Sequence, residues 1–256
     1  MDILSYNRQA WNRQVVDGNR WTVPVSPEAI AAARRGEWSL VLTPTISVPR
    51  SWFPEDLHGI NVLCLASAGG QQGPILAAAG ARVTVLDNSP RQLERDSSVA
   101  ERENLDLEAI QGDMANLSVF PNGRFDLIFH PVSNVFAPEV LPVWREAYRV
   151  LRQGGSLLAG FTNPALYIFD LNKMDAGELV VQHSLPYSDI ACLSETDLQD
   201  LISKELPLEF SHTLEEQIGG QITAGFALTG FYEDADPETL LSRYMPTYIA
   251  TRAEKL

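Results

Sequence analysis

Several short stretches of this 256-residue chain carry side chains that could do chemistry together. Ser67-Ala68-Gly69-Gly70-Gln71-Gln72 is a loop of small residues. Glycine lets a backbone approach a ligand closely, and a helix starting after such a loop offers free N–H groups to a carboxylate or phosphate. Asp87 ends an apolar run, where a carboxylate can accept hydrogen bonds from both hydroxyls of a ribose. Asp113, followed by Met114, ends the next run and can accept from an exocyclic adenine amine. Each also has a plainer reading: a tight turn, a solvated helix cap, a turn aspartate. The loop and Asp87 together favour a nucleotide-like ligand more than either does singly. His130 closes a fourth run and is a candidate base if the reaction must remove a proton. A histidine packed beside Pro131, with only its backbone in use, is the commoner arrangement. Tyr167 is a second candidate for the chemistry, and Tyr167, Asp170 and Asn134 are candidate contacts for a second substrate. His58, His183 and His212 read as loop or surface residues, and no spacing of histidines or acids suggests a metal site.

The elements that must position these residues alternate regularly. Ile60–Ala66 is a continuous apolar run, as in a strand buried on both faces of a parallel sheet. Gln71 to Ala79 reads as a helix closed by Gly80, and Arg82–Leu86 as a second strand. Ser89-Pro90 has the N-cap and first-position residues of a helix running to about Glu103. Leu107–Gln111 and Phe125–His130 are the third and fourth strands. Leu141, Trp144, Tyr148 and Leu151 share one helical face over about 138–151, Gly154-Gly155 ends that helix, and Ser156–Phe161 is the fifth strand. Such alternation implies right-handed crossovers, a parallel sheet and ligands at the strands' carboxyl ends. Further on, Ser194 with Asp197 caps a helix to about Glu205. Leu208–Gln217 and Ile222–Tyr232 are expected as a hairpin turning at Gly219-Gly220.

Composition narrows the classes. The chain is 45 % apolar and 20 % charged, which excludes a disordered chain. With 19 basic and 33 acidic residues the formal charge is −14, so a phosphate backbone is repelled and no nucleic-acid partner is expected. Two cysteines exclude a disulfide scaffold and fit a reducing, cytoplasmic setting. No apolar stretch approaches the ~20 residues that span a bilayer, and no signal peptide is visible, so no membrane role is expected. Residues 1–58 hold four of the five tryptophans, Trp11, Trp21, Trp38 and Trp52. Each reads singly as ordinary packing. As a group they could form an aromatic lid, suited with the acidic chain to a cationic or aromatic acceptor.

The ordered set of motifs resembles the class I S-adenosylmethionine-dependent methyltransferases over about 55–165. The family's first motif resembles V-L-D-L-G-C-G-T-G; here it is Val62-Leu63-Cys64-Leu65-Ala66-Ser67-Ala68-Gly69-Gly70. Cys64 stands for the acid, and Ala66 and Ala68 for glycines. VTVLDNS, QGDM, FDLIFHPVSN and RVLRQGGSLLAGF follow in the family's order. LASxGGQQ, NRQAW near the start and NPALYIFD after the fifth strand are similar to a small bacterial, type 11-like subgroup.

The resemblance implies an α/β, Rossmann-like, doubly wound sheet of seven mostly parallel strands with an antiparallel last strand. It implies S-adenosylmethionine as cofactor and S-adenosylhomocysteine as product. By position, Ala66, Ser67 and Gly69 flank the methionine moiety, and Ala68, Gln72 and Gln92 join the cofactor shell. Asp87 holds the ribose diol with Asn88 beside the adenine, and Asp113 and Met114 grip the adenine. His130 contacts the amino-acid end through its carbonyl, and Trp11 covers the cofactor. The expected organisation is one structural domain: an extension, 1–58, covering the site, and a methyltransferase domain, 59–256, with 162–193 as acceptor lid. The expected reaction is direct displacement onto a small-molecule acceptor. The alternatives are an NAD-dependent oxidoreductase on the same sheet, or a non-catalytic protein that binds the cofactor. Gly69-Gly70-Gln71-Gln72-Gly73 lacks the G-x-G-x-x-G spacing of the former, and a Gly219-Gly220 hairpin would be out of place there.

Overall fold

The apolar runs become strands whose residues alternate between two packed faces. In the computed structural model, which describes residues 1–256, these are β1 (Asn61–Leu65), β2 (Arg82–Asp87), β3 (Leu107–Gln111), β4 (Phe125–His130) and β5 (Leu151–Thr162). With β6 (Ala227–Asp234) and β7 (Tyr248–Glu254) they form one sheet ordered β3-β2-β1-β4-β5-β7-β6. β1 to β5 pair in parallel, and β7 runs antiparallel between β5 and β6. This is the doubly wound, seven-stranded architecture expected, antiparallel last strand included.

The period-two alternation of β1 shows why both faces are apolar. Val62 and Cys64 join a core with Ile30, Leu42, Phe53, Leu76 and Phe129. Leu63 and Leu65 join the opposite core with Phe120, Phe125, Trp144, Leu157 and Phe226. The helices are α1 (Ile3–Asp17), α2 (Pro27–Arg34), α3 (Gln72–Ala78), α4 (Pro90–Glu103), α5 (Leu141–Val150), α6 (Leu171–Asp175), α7 (Asp189–Cys192), α8 (Glu195–Ser203) and α9 (Gly220–Ala224). The first core takes much of its volume from residues before the sheet. Trp38 meets the edge of Phe53, and Trp52 packs on Tyr232, so these two tryptophans are packing residues.

Two expectations fail. No hairpin turns at Gly219-Gly220. Residues 215–224 are helical, a π turn (Glu215–Gly219) running into α9. Thr213 and Glu216 form a reciprocal cap: the Glu216 amide donates to Thr213 Oγ1 (3.1 Å), and the Thr213 amide donates to Glu216 Oε2 (2.9 Å). That T-x-x-E box starts a helix, not a strand. Gly220 serves close packing, because a Cβ there would lie 2.8 Å from both Leu141 and Trp144 side chains. The hairpin strand 208–217 is thus absent, and β7 takes its place in the sheet. In the second departure, β5 begins at Leu151, so Gly154-Gly155 lie inside the strand and α5 ends at Val150.

The segment before β1 crosses the exits of β4 and β5. Val132 donates to the Leu42 carbonyl (3.1 Å). Gly160 allows the crossing: its Cβ would lie 2.2 Å from the Leu42 carbonyl oxygen.

Candidate functional site

A cavity of about 730 Å³ opens where β1 to β5 end. Its wall at the β1 exit is the small-residue loop. Ala66, Ala68 and Gly70 adopt φ of 46°, 65° and 73°, the left-handed region that costs an L-residue on the order of 1–2 kcal/mol. The two alanines therefore keep the backbone path that glycines would take without strain. Tertiary contacts hold that path. The Ala66 amide donates to Leu86 O (2.8 Å), and the Gly69 amide to Trp21 O (3.1 Å). The Gly70 amide donates to Asp96 Oδ1 (2.9 Å). Asp96 is buried on α4, and that burial raises its pKa well above the ordinary value. With Cys64 in the family's acidic position, the loop's acidic partner comes from α4 instead. Burial pushes the Cys64 thiol up and keeps it protonated.

The same wall presents unused acceptors. Oε1 of Gln72 and of Gln92 is buried with no protein partner, and both side chains line the cavity. Buried acceptors are ordinarily bonded, so these two suit a ligand that donates hydrogen bonds. At the β2 exit, Asp87 accepts from the Ser89 amide (2.7 Å), and burial pushes its pKa up to about 7. At the β3 exit, Asp113 accepts from the Ala115 amide (2.9 Å) and lines the cavity with Met114. This set fits an adenosyl cofactor: a carboxylate for a diol, a second acid and a thioether for a base, and free acceptors at the loop.

Helix α1 lies across these exits. Arg8 donates to Asn88 Oδ1 (2.9 Å), Asn88 Nδ2 to Leu4 O (2.8 Å), and Ser89 Oγ to Asn12 Oδ1 (2.8 Å). Asn7 is buried and donates to Phe136 O (3.1 Å) and Leu208 O (3.0 Å), while its Oδ1 accepts from the Leu208 amide (2.8 Å). Trp11 and Trp21 both line the cavity, and Trp11 meets the edge of Phe136 at 5.0 Å.

The opposite wall is built differently. β5 stands three strands from β2 in the sheet order, roughly 14 Å at ordinary strand spacing. There Tyr167, Glu209, Tyr248, Thr162 and the segment Val41–Pro44 line the cavity. Tyr167 is buried and donates to Glu209 Oε2 at 2.7 Å. Behind them Tyr187 donates to Asp189 Oδ1 (2.7 Å), and the Glu209 amide donates to Asp189 Oδ2 (2.7 Å). Burial raises the pKa of both carboxyls, and Glu209 reaches about 7.

Of the residues singled out in the sequence, Trp11, Ala66, Ala68, Gln72, Asp87, Asn88, Gln92, Asp113, Met114 and Tyr167 line the cavity. Ser67, Gly69, His130, Asn134 and Asp170 do not. Gly69 faces α4, where a Cβ would lie 2.2 Å from Gln92 Oε1. Ser67 is buried with its hydroxyl unpartnered. The His130 ring is fully buried, Nδ1 lying 2.8 Å from Leu65 O and Nε2 2.6 Å from Asn134 Oδ1. Burial lowers its pKa, so the ring is a neutral brace between β1 and the turn after β4. Asn134 continues that brace to Gln217 (3.1 Å). Asp170 caps α6 through the Lys173 amide (3.1 Å). His212 lies in a loop but is buried, its Nε2 between the carbonyls of Asn134 (3.1 Å) and Ala137 (3.0 Å). Glu209, Tyr248 and Asp96 escaped sequence reading. The one signal for Glu209 is an acid set between Leu208 and Phe210, two residues that prove buried.

The Methyltransf_11 family, a methyltransferase domain, matches residues 63–159. A Bacillus subtilis protein named uncharacterized methyltransferase YbaJ is 50% identical over 254 residues, 99% of this chain and 99% of that one. Sterol 24-C-methyltransferase erg6 of Aspergillus fumigatus is 34% identical over 103 residues, 40% of this chain but 26% of that protein. Among solved structures, an S-adenosylmethionine dependent methyltransferase from Mesorhizobium loti aligns with a TM-score of 0.61 at 17% identity, over 80% of this chain and 94% of that one. At that identity the likeness is one of fold.

Proposed function

The chain belongs to the class I S-adenosylmethionine-dependent methyltransferases, and from that premise we propose that it methylates a small molecule held beside the cofactor in the cavity at the strand exits. The observation that carries this reading is the cavity itself. One space is lined on one side by the loop, Asp87 and Asp113, and on the other by Tyr167, Glu209 and Tyr248. Its volume lies in the range of small-molecule sites. Ile3, Leu4, Asn7 and Trp11 of helix α1 line it, and the net charge of −14 opposes a phosphate backbone. The sterol methyltransferase relative is likewise named for a small acceptor.

In this reading Asp87 accepts from the ribose diol, Asp113 and Met114 hold the adenine, and Gln72 and Gln92 accept from the amino-acid end. When bound, the cofactor supplies an electrophilic methyl carbon on a sulfonium. The chain's own work is to align an acceptor behind that carbon and to exclude water, which α1, Trp11 and Trp21 do as a cover. Within 162–193, Thr162 and Tyr167 face the acceptor. His130 acts through the fold. Both cysteines are unpaired, and no helix is long and apolar enough to cross a membrane; we place the reaction in the cytoplasm.

Calorimetric titration with S-adenosylhomocysteine, with NAD as the control, tests the reading. Micromolar binding of the first and none of the second is expected. Failure to bind S-adenosylhomocysteine overturns it.

A further inference from the structure

We propose that Glu209, framed by Tyr167 and Tyr248, is an acceptor subsite for a small molecule bearing a protonated amine, and that Glu209 takes the amine's proton before methyl transfer. This rests on the methyltransferase reading above and names the chemistry of its acceptor.

The geometry leaves a negative wall without a cation. Asp189 is buried, and both its oxygens are used, by Tyr187 and by the Glu209 amide. Glu209 Oε2 is taken by Tyr167, while Oε1 has no protein hydrogen bond, in a side chain that lines the cavity. No basic side chain is among the groups that act on either carboxyl. The one Lys or Arg side chain that lines the cavity, Arg20, pairs with Asp236 at 3.5 Å. Carboxylates drawn out of water are normally paired, because an isolated charge is costly there. Here the partner left to supply the positive charge is the ligand. Tyr167 and Tyr248 add aromatic surface of the kind that attracts ammonium groups.

The groups facing Glu209 are Tyr167, Tyr187, Asp189 and Tyr248. Burial pushes the Glu209 carboxyl up to about 7, opposed by the Tyr167 hydrogen bond and aided by Asp189. A base of that strength accepts a proton near neutrality. The ammonium gives one proton to Glu209 and becomes a neutral amine with a free electron pair. That pair forms the N–C bond to the methyl carbon as the C–S bond breaks, and the C–S electrons return to sulfur. The positive charge passes to the methylated nitrogen, sulfur leaves as a neutral thioether, and Glu209 releases its proton to water.

The test titrates benzylamine and its neutral isostere benzyl alcohol into the full-length protein saturated with S-adenosylhomocysteine, and then follows methyl-labelled S-adenosylmethionine with benzylamine. The wild type is expected to bind the amine at least tenfold more tightly than the alcohol and to label it. Glu209→Gln, which keeps the size of the side chain, is expected to lose the preference and to lower kcat at least a hundredfold. Tyr167→Phe retains the carboxylate and is expected to retain the preference, which separates loss of charge from collapse of the wall. Equal affinity for the two probes, a preference that survives Glu209→Gln, or no label on benzylamine overturns the inference. S-adenosylhomocysteine binding without amine preference sinks this inference alone; no S-adenosylhomocysteine binding sinks the reading beneath it.

Discussion

The two walls of the cavity use opposite means. The wall at β1 to β3 is made of backbone and strand ends: a strained loop at Ala66 and Ala68, one acid at each of two exits, and two glutamine oxygens without partners. The wall at β5 and β7 is made of side chains, Tyr167 bonded to Glu209, with Tyr187 bonded to Asp189 behind them. Strand ends recur wherever the sheet recurs, so the first wall suits a ligand common to many proteins. The second draws on residues far apart in the chain and suits a ligand particular to this one.

The largest effect is expected where the second wall rests on the first core. In Gly160→Ala the new Cβ would lie 2.2 Å from the Leu42 carbonyl oxygen and 2.8 Å from its carbon. Backbone cannot yield cheaply, so a loss of about 3 kcal/mol in chemical denaturation is expected, with Leu42–Pro44 displaced. S-adenosylhomocysteine affinity of the folded protein should stay within a few-fold. If affinity falls with stability, the walls are not separable.

Next in size, Asp87→Ala should weaken S-adenosylhomocysteine binding by about 2 kcal/mol, the loss of charge-assisted hydrogen bonds. Unchanged affinity would remove Asp87 from the ribose. The same carboxyl predicts a pH profile. With a native pKa of about 7, ligand-free Asp87 holds its proton more tightly than the unfolded chain does. Its contribution to stability is therefore most favourable below about pH 4 and declines as pH rises to 7. A diol needs the charged form as acceptor, so affinity should rise about tenfold from pH 6 to 8 and then level off. Asp87→Asn should flatten that profile, and a flat wild-type profile would count against the role.

The smallest effect sharpens the account of the loop. Ala68 sits at φ 65°, which glycine adopts without strain. Ala68→Gly relieves strain but frees the unfolded chain, so a net gain of about 0.5 kcal/mol is expected in thermal unfolding, with little change in affinity. A clear loss of stability would mean that the alanine methyl packs usefully.

Much of this was legible in the residues. Apolar runs ending in Asp87, Asp113 and His130 place the strand exits, because a strand's face and end are local properties. The helix at 215–224 was legible too, through Thr213 and Glu216, but Gly219-Gly220 carries a stronger turn signal than a capping box carries for a helix. His130 is a packed ring, the commoner of the two arrangements its sequence position allows. Its position at an exit is local, but the direction of its ring is set by Leu65 and Asn134.

From the sequence alone come the strand order's raw material, the loop with its two alanines, and the acids at the β2 and β3 exits. These depend on periodicity and on neighbours within one element. Only the tertiary structure decided that Asp96 would grip the loop in place of an acid at Cys64. Only it brought Thr43, Tyr167, Glu209 and Tyr248 to one cavity. Those contacts join segments many residues apart. Insertion of β7 between β5 and β6 sets Tyr248 beside Thr162, the crossing of Leu42 over Gly160 brings in Thr43, and no local pattern of residues records a meeting of that kind.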